Sequence, residues 1–261
     1  MRFFIVDAFT SEPFKGNPAA VVLLEEELTD QRLQAIAVEF NLSETAFLRQ
    51  IDNNSWSLRW FTPASEIELC GHATLASAHV LWQELDVSAN PLHFSTLSGL
   101  LTAKLNNNGE ITLDFPAIPS RPIDVDANIK QKFGMHIIAA ARAPNRFLIE
   151  LSDADSVLHY QPDFELIRSL PERGLIVTAK GDNEFDFASR FFAPKMGIPE
   201  DPVTGSMHCV LAPYWNNKLG KHSFKAKQLS QRGGVLGVNL VGERVELIGS
   251  ALTVMRGDIV I

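Results

Sequence analysis

The chain has 261 residues, a formal net charge of −8 and an isoelectric point near 5.4, which argue against nucleic-acid or membrane-surface binding because those roles need a basic patch. Its two cysteines stand in unlike sequence settings, so we expect a reducing compartment and no disulfide framework. No apolar stretch approaches the length of a membrane span, and Met1-Arg2 leads directly into a strand pattern without the features of a signal peptide. The sequence therefore predicts a cytoplasmic protein.

The first half is predicted to contain strands and one amphipathic helix before its central helix. Phe3 to Phe9 has the composition of a buried strand, and Gly16-Asn17-Pro18 turns the chain into a second strand. Apolar residues then recur at helical spacing and predict a helix over 29–40. In Ser43-Glu44-Thr45, which follows, a carboxylate stands between the end of that helix and an apolar strand. Further strands are predicted at 56–61, 100–105 and 111–115.

The second half repeats this scheme after Pro116, Pro119 and Pro122, where we place the linker. Its predicted strands are 146–151, 175–179, 234–240 and 244–248, and a short helix is predicted at 164–170. The predicted domains are thus 1–117 and 118–261. The final strand, within 251–261, has no counterpart in the first half and is a candidate to return to the first domain.

One stretch of sequence occurs twice. Arg59-Trp60-Phe61-Thr62-Pro63 leads through an acidic connector to Cys70-Gly71-His72 and an apolar run. Arg190-Phe191-Phe192-Ala193-Pro194 likewise leads to Thr204-Gly205-Ser206 and another apolar run. The offset of about 130 residues is too long for a solenoid repeat and indicates a duplicated domain.

The helices predicted after Gly71 and Gly205 are apolar nearly all round, so each is expected to be buried at the centre of its domain. The first turn of a helix has unpaired N–H groups at the positive end of the helix dipole, and both features suit an anion. If the two copies face each other, both helix starts point into one cleft.

Six motifs then occur in a fixed order along nearly the whole chain: Val6-Asp7-Ala8-Phe9-Thr10, Gly16-Asn17-Pro18, Ser43-Glu44-Thr45, Phe61-Thr62-Pro63, Gly71-His72 and Asp201-Pro202-Val203-Thr204-Gly205-Ser206. In these motifs the chain resembles the phenazine-biosynthesis PhzF-like proteins, which share the fold of diaminopimelate epimerase. The resemblance implies an α+β fold of two pseudo-symmetric β-barrel-like domains, each wrapped around a central helix. It also implies a site in the cleft between the domains and, commonly, a homodimer.

The resemblance also implies roles for individual residues. Glu44 would be the catalytic acid/base, and His72 and Asp201 are the other catalytic candidates. The substrate-binding candidates are Gly71, Gly205, Ser206, Thr204 and Cys70.

Each role has a simpler structural alternative. A carboxylate that moves a proton on carbon must be dry, close to that carbon and raised in pKa toward neutrality, whereas a glutamate after a helix is often a solvated surface group. His72 at a helix start is expected to stay neutral, although a lone histidine is often structural. Asp201 either orients His72, binds a substrate amine or hydroxyl, or caps a helix. Ser206 is a better anion-binding hydroxyl than nucleophile, because the motifs arrange no histidine–carboxylate pair around it.

Cys70 and Thr204 occupy the same position in the two copies, immediately before the glycine. Two-cysteine epimerases of this fold need a thiol on each side of the substrate carbon, and a threonine hydroxyl is not a comparable base near neutral pH. Racemisation by a cysteine pair is therefore not expected. Cys209 reads as a small buried apolar residue.

No bound group is predicted. The spacing of Cys70 with His72, and of His208 with Cys209, does not match zinc sites, and no glycine-rich nucleotide fingerprint follows a strand. We thus expect neither a metal nor a cofactor.

Three functional hypotheses follow. The first is a cofactor-independent isomerase that moves a proton on a small carboxylate-bearing metabolite, with Glu44 as acid/base. The second is an epimerase or racemase that uses Cys70 with a non-thiol partner. The third is a metabolite- or protein-binding member of the fold without turnover. Nucleic acid and membrane are not expected as partners.

Overall fold

The computed structural model describes residues 1–133, 137–182 and 184–260. Its mixed α/β chain divides into two compact units. Unit 1 comprises Met1–Phe115 together with Leu247–Ile261, and unit 2 comprises Pro116–Glu246. No helix in the described ranges combines the length and hydropathy needed to cross a membrane.

Unit 1 begins with strands around two helices. Its elements are β1 (Arg2–Ala8), β2 (Asn17–Leu23), α1 (Asp30–Phe40), β3 (Glu44–Gln50), β4 (Ser55–Phe61), β5 (Glu66–Ile67), α2 (Gly71–His79), β6 (Leu92–Thr96), β7 (Gly99–Leu105) and β8 (Ile111–Pro116). A π-helical turn, Val80–Glu84, continues α2.

Unit 2 follows with a similar series of elements and a larger number of short helices. They are β9 (Arg121–Ile123), α3 (Ala127–Phe133), β10 (Ile137–Ala143), β11 (Arg146–Leu151), α4 (Ala154–Leu158), α5 (Phe164–Ser169), β12 (Gly174–Lys180), β13 (Phe187–Ala193), β14 (Ile198–Asp201), α6 (Gly205–Leu219), β15 (Ser223–Gln228), β16 (Gly234–Val241) and β17 (Arg244–Gly249). The last strand of the chain is β18 (Ala251–Asp258).

The strand pairings inside the two units match. In unit 1, β2 is antiparallel to β1 and parallel to β3, while β4 is antiparallel to β3 and parallel to β6. In unit 2, β11 is antiparallel to β10 and parallel to β12, while β13 is antiparallel to β12 and parallel to β15. β18 pairs antiparallel with β1 as β9 does with β10. The internal duplication is therefore a duplication of topology as well as of sequence.

The helix that starts at the repeated glycine is buried in each unit, as its apolar sequence predicts. Every residue of α2 is buried, and so is α6 from Met207 to Ala212. A helix without a polar face is stable only when other elements cover it on all sides. α6 continues past the predicted end to Leu219 and stops at Gly220, which has a left-handed φ of 64°.

Helix α1 confirms the amphipathic prediction and fixes where Glu44 stands. Thr29 caps the helix by accepting a hydrogen bond from the Arg32 N–H, and Leu33, Ile36 and Ala37 are buried. Asn41 ends the helix in the left-handed region at φ 49°. The chain then reverses within a few residues, so that Glu44 is the first residue of β3.

The two repeated arginines make the same contacts in the two units. Arg59 on β4 forms a two-point ion pair with Glu66, with its Nε 2.7 Å from Oε1, and it lies over the Phe61 ring. Arg190 on β13 pairs in the same way with Glu200, with its Nε 2.7 Å from Oε1, and lies over Phe192. The acidic connectors of the repeat therefore supply the carboxylate that holds each arginine against its sheet.

Arg190→Met is expected to lower the free energy of unfolding more than Arg59→Met does. The Arg190 side chain is 12% exposed against 26% for Arg59, and its Nη1 also donates to the carbonyls of Val157, Leu158 and Tyr160. Removal of a buried charge leaves its partners desolvated and unpaired, so we expect a loss of about 2–4 kcal/mol in the free energy of unfolding for Arg190→Met and about 1 kcal/mol for Arg59→Met. Urea unfolding of both variants measures the difference; equal losses would contradict this ranking.

Candidate functional site

In unit 1, the first residue of β3 is a buried carboxylate. Glu44 is 8% exposed and is paired in the sheet opposite Ala19 of β2. Its Oε2 lies 3.2 Å from Nε2 of His72, the second residue of α2. The solvated-surface alternative for Glu44 is therefore wrong for this chain, because the side chain lies against the start of the buried helix.

His72 is 4% exposed, and burial lowers its pKa to about 3. The imidazole is therefore neutral at physiological pH and carries one N–H. The Nδ2 amide of Asn17 lies 3.2 Å from His72 Nδ1, and the Cys70 thiol lies 3.5 Å from the same nitrogen. An amide nitrogen can only donate, so Nδ1 is the acceptor and Nε2 carries the proton that faces Glu44.

Asn17 connects this histidine to the Ser43-Glu44-Thr45 motif. Its Oδ1 accepts a hydrogen bond of 3.2 Å from the Ser43 hydroxyl. Gly16, just before it, has φ 64°, and a Cβ at that position would lie 2.2 Å from the carbonyl oxygen of Ala8. Glycine is thus required there, and it positions Asn17 beside His72.

The contact between His72 and Glu44 leaves room for the carboxylate to act. Nε2 and Oε2 are at contact distance but are not aligned as a hydrogen bond. A hydrogen-bond donor beside a carboxylate stabilises the charged form of the carboxylate. The hydrogen bond between them can strengthen when the carboxylate rotates. The described geometry therefore places a neutral N–H donor beside a buried carboxylate.

Glu44, Cys70 and His72 also form a grouping that could hold a metal ion, since one ligand atom from each lies within 4.8 Å of the others. However, Glu44 faces Nε2 of the histidine and Cys70 faces Nδ1. One ion bonds to a single imidazole nitrogen along its lone pair, so an ion held by His72 would meet one of these neighbours in good geometry but not both.

In unit 2, Asp201 and Thr204 belong to one hydrogen-bond network at the start of α6. The Thr204 hydroxyl donates to Asp201 Oδ2 over 2.5 Å, and the Thr204 N–H donates to Oε1 of Gln228 over 2.8 Å. Gln228 also donates to the Asp201 carbonyl over 2.7 Å. Gln228 is fully buried and was not predicted as a site residue; its contribution is to hold the loop before Gly205 in place.

Ser206, the second residue of α6, accepts a hydrogen bond of 2.7 Å from Nη2 of Arg146. Gly205 and Gly71 are both buried first residues of their helices. Thus the structure places Glu44, His72, Cys70 and Gly71 together in unit 1. It places Asp201, Thr204, Gly205 and Ser206 together in unit 2. That Asp201 orients His72 stays a prediction.

Three residues of these clusters were missed as site residues: Asn17, Arg146 and Gln228. Asn17 lies in one of the six motifs, and Arg146 stands at the start of a predicted strand, but local sequence does not show that either residue contacts the start of a buried helix. No comparable signal marks Gln228. Its role depends on the parallel pairing of β13 with β15, which is not visible in local sequence.

An apolar cavity of unit 1 lies away from these residues. It has a volume of about 770 Å³ and lies between α1 and the chain end, where Phe3, Ile36, Phe40 and Ile259 line it. None of the predicted site residues lines it. Volume alone therefore does not locate the chemistry in this protein.

Comparison with known proteins identifies the family to which the chain belongs. A family model described as "Phenazine biosynthesis-like protein" matches residues 6–257. An uncharacterized isomerase of Halalkalibacterium halodurans is 46% identical over 262 residues, which cover 99% of this chain and 98% of that protein.

Solved structures agree. A crystal structure of a phenazine biosynthesis protein of the PhzF family from Enterococcus faecalis matches with a TM-score of 0.94 and 42% identity, covering 100% of this chain and 99% of that one. A hydroxyproline epimerase from Agrobacterium vitis matches with a TM-score of 0.65 and 10% identity over 98% of this chain and 91% of that one, which is a likeness of fold alone. The predicted fold class and the predicted family resemblance are confirmed.

Proposed function

Because the chain belongs to the phenazine biosynthesis-like family, we propose that it is an isomerase that shifts a proton on a small carboxylate-bearing metabolite without a cofactor, with Glu44 as the acid/base. The observation that carries this proposal is the pairing of two buried groups, Glu44 and neutral His72, at the start of α2. The relative from Halalkalibacterium halodurans is named an uncharacterized isomerase, which supports the reaction class.

The proposed reaction has two steps. Glu44 removes a proton from a substrate carbon, and the electron pair of the broken C–H bond delocalises toward the substrate carboxylate or an adjoining double bond. The protonated Glu44 then returns the proton to a different carbon, which restores the carboxylate form and completes the isomerisation. His72 Nε2–H faces Glu44 and stabilises its charged form at both ends of the cycle.

The proposed reaction also needs hydrogen-bond donors that stabilise the negative charge on the substrate, and the starts of α2 and α6 supply them. Buried N–H groups at Gly71 and Gly205, with the Ser206 hydroxyl, are donors for the negative charge that grows on the substrate. That groups of both units meet on one substrate stays a prediction, as do the homodimer and the cytoplasmic location.

The test is transfer of deuterium from D2O into small cyclic and unsaturated carboxylic acids, followed by mass spectrometry, with wild type and Glu44→Gln run in parallel. Incorporation that depends on Glu44 supports the proposal. If a compound of the collection stabilises the protein thermally but no compound gains deuterium, the non-catalytic binding function is favoured instead.

An epimerase that uses Cys70 is the second candidate, and the observation in its favour is the thiol 3.5 Å from a histidine nitrogen. Under the Glu44 proposal, Cys70→Ala keeps deuterium incorporation within about three-fold of wild type, because the thiol takes no proton from carbon; if Cys70 is a base, the loss is about 100-fold or more. Cys209→Ala is the matched control, since that buried thiol contacts the Gly205 carbonyl instead. A 100-fold loss confined to Cys70→Ala would establish the epimerase.

A further inference from the structure

The two units build the same contact from different residues. In unit 1 the first residue of β2, Asn17, contacts the second residue of α2, His72. In unit 2 the first residue of β11, Arg146, contacts the second residue of α6, Ser206. Each contact joins the start of a strand to the second residue of the repeated helix, although Arg146 pairs with Gly174 as Ala19, not Asn17, pairs with Glu44. Unit 2 thus makes with a cation a contact that unit 1 makes with a neutral amide.

The third member of the unit 1 cluster has no acidic equivalent in unit 2. Glu44 is the first residue of β3, and the first residue of the matching strand β12 is Gly174. A Cβ on Gly174 would lie 2.6 Å from Cζ of Phe191 and 3.0 Å from the carbonyl oxygen of Phe192, so no side chain fits there. Unit 1 thus carries the proton-transfer carboxylate, and the same place in unit 2 is closed to one.

Arg146 is a partly buried cation that forms no ion pair with a carboxylate of the described residues. Its guanidinium lies over the Phe191 ring at 5.5 Å, and its Nε is buried and makes no hydrogen bond to any described residue. Among the described residues it forms no ion pair, and Asp201 acts on it only through its charge, which favours the protonated guanidinium. Burial lowers the pKa of Arg146, but an arginine stays protonated in a protein, so the charge remains.

A partly buried charge outside an ion pair is costly, and a bound anion would offset that cost. Arg146 Nη2 donates to Ser206 Oγ, which leaves the hydroxyl proton of Ser206 to point elsewhere. The start of α6 adds unpaired N–H groups beside the same hydroxyl. These donors have one chemistry in common, which is recognition of an anion.

We propose that Arg146 binds the carboxylate of the substrate, together with the Ser206 hydroxyl. The inference rests on the proposed function, because it names a group of unit 2 that recognises the carboxylate of the substrate proposed there. It makes the substrate class specific: a carboxylic acid binds, and its primary amide, equal in shape but without charge, does not bind comparably.

Arg142 gives a matched control in the same unit. It also lies over an aromatic ring, Phe147, at 5.6 Å, but it has its own carboxylate, Glu172, at 3.3 Å. A methionine at position 142 removes a stacked arginine without removing the proposed anion site. Arg142→Met therefore reports what loss of stacking and charge does by itself.

The experiment uses the full chain with ¹⁵N label and two probes, cyclohex-1-enecarboxylate and cyclohex-1-enecarboxamide, at constant ionic strength. NMR follows the Nε–H resonance of Arg146, which is identified by its absence in Arg146→Met. We expect the acid to shift this resonance and to bind about ten-fold or more weakly to Arg146→Met, since hydrogen bonds to a charged group are strong, while the amide binds both proteins equally. Arg142→Met should bind the acid as wild type does, and Arg146→Lys should fall between.

An unmoved Arg146 resonance in wild type, equal binding of acid and amide, or equal acid binding by wild type and Arg146→Met would each overturn the inference. Glu44→Gln separates this outcome from failure of the proposed function. If Arg146→Met loses acid binding while Glu44→Gln keeps deuterium incorporation, the anion site stands and the acid/base role fails. If Glu44→Gln alone has an effect, the acid/base role stands and the anion site fails.

Discussion

We expect Glu44→Gln to incorporate deuterium about 10²–10⁴-fold more slowly than wild type, which is the range that a positioned acid/base contributes to a rate. Glutamine has the shape of glutamate, so it fills the same buried place at the start of β3. Its amide has no basic oxygen that can take a proton from carbon. The His72 Nε2–H that faces position 44 is still accommodated, because the amide oxygen can accept from it.

Two further variants show whether the loss is specific to proton transfer. Glu44→Asp keeps the carboxylate but withdraws it by one methylene, and a misplacement of about 1 Å costs about 10²-fold in rate. Glu39→Gln, on the exposed face of α1, removes a glutamate of the same unit and should leave the rate unchanged. Circular dichroism and thermal unfolding check that every variant is folded. Undiminished incorporation by folded Glu44→Gln would refute the acid/base role.

The parts of the fold that sequence predicted well are those that local residues determine. Helix α1 follows from apolar spacing, with Thr29 and Asn41 as its ends. The buried helices α2 and α6 follow from runs without a polar face. The duplication was visible because Arg59 and Arg190 each need a carboxylate and an aromatic ring at similar places.

The sequence did not reveal the parts that depend on which strands become neighbours. β6, β10 and β15 were not predicted, since their apolar residues are few or lie outside the repeated stretch. Glu44 was placed at a strand start by local sequence, but its approach to His72 depends on the parallel pairing of β2 with β3. For the same reason Arg146 was passed over, because its contact with Ser206 joins residues sixty positions apart.

The protein is expected to lose stability steeply as pH falls below about 6.5, the ordinary pKa of histidine. His208 on α6 is fully buried and stacks on the Phe187 ring, and its Nδ1 lies 2.8 Å from the Thr204 carbonyl, to which it donates. Burial lowers its pKa to about 4. Between these two values the unfolded chain binds a proton at this histidine and the folded chain does not.

The sign of the effect follows from that difference. Stability rises with pH wherever the unfolded state binds more protons, so the contribution of His208 is complete above pH 6.5 and is lost as pH falls toward 4. The slope is about 1.4 kcal/mol per pH unit for one histidine, or about 2 kcal/mol between pH 7 and pH 5. His72, with a pKa of about 3, adds a second contribution of the same sign.

Urea unfolding at pH 7, 6 and 5 measures this loss of stability. The variant His208→Gln shows how much of the loss is due to His208. The variant is less stable than wild type at pH 7, because it loses the stacking on Phe187, but it has no imidazole to titrate. Its free energy of unfolding should therefore fall by about 2 kcal/mol less than that of wild type between pH 7 and pH 5. His72→Gln should flatten the dependence further when the two are combined, since each histidine is buried within its own helix. Parallel pH curves for wild type and His208→Gln would mean that His208 takes up its proton in the folded state, and the neutral imidazole inferred for it would be wrong.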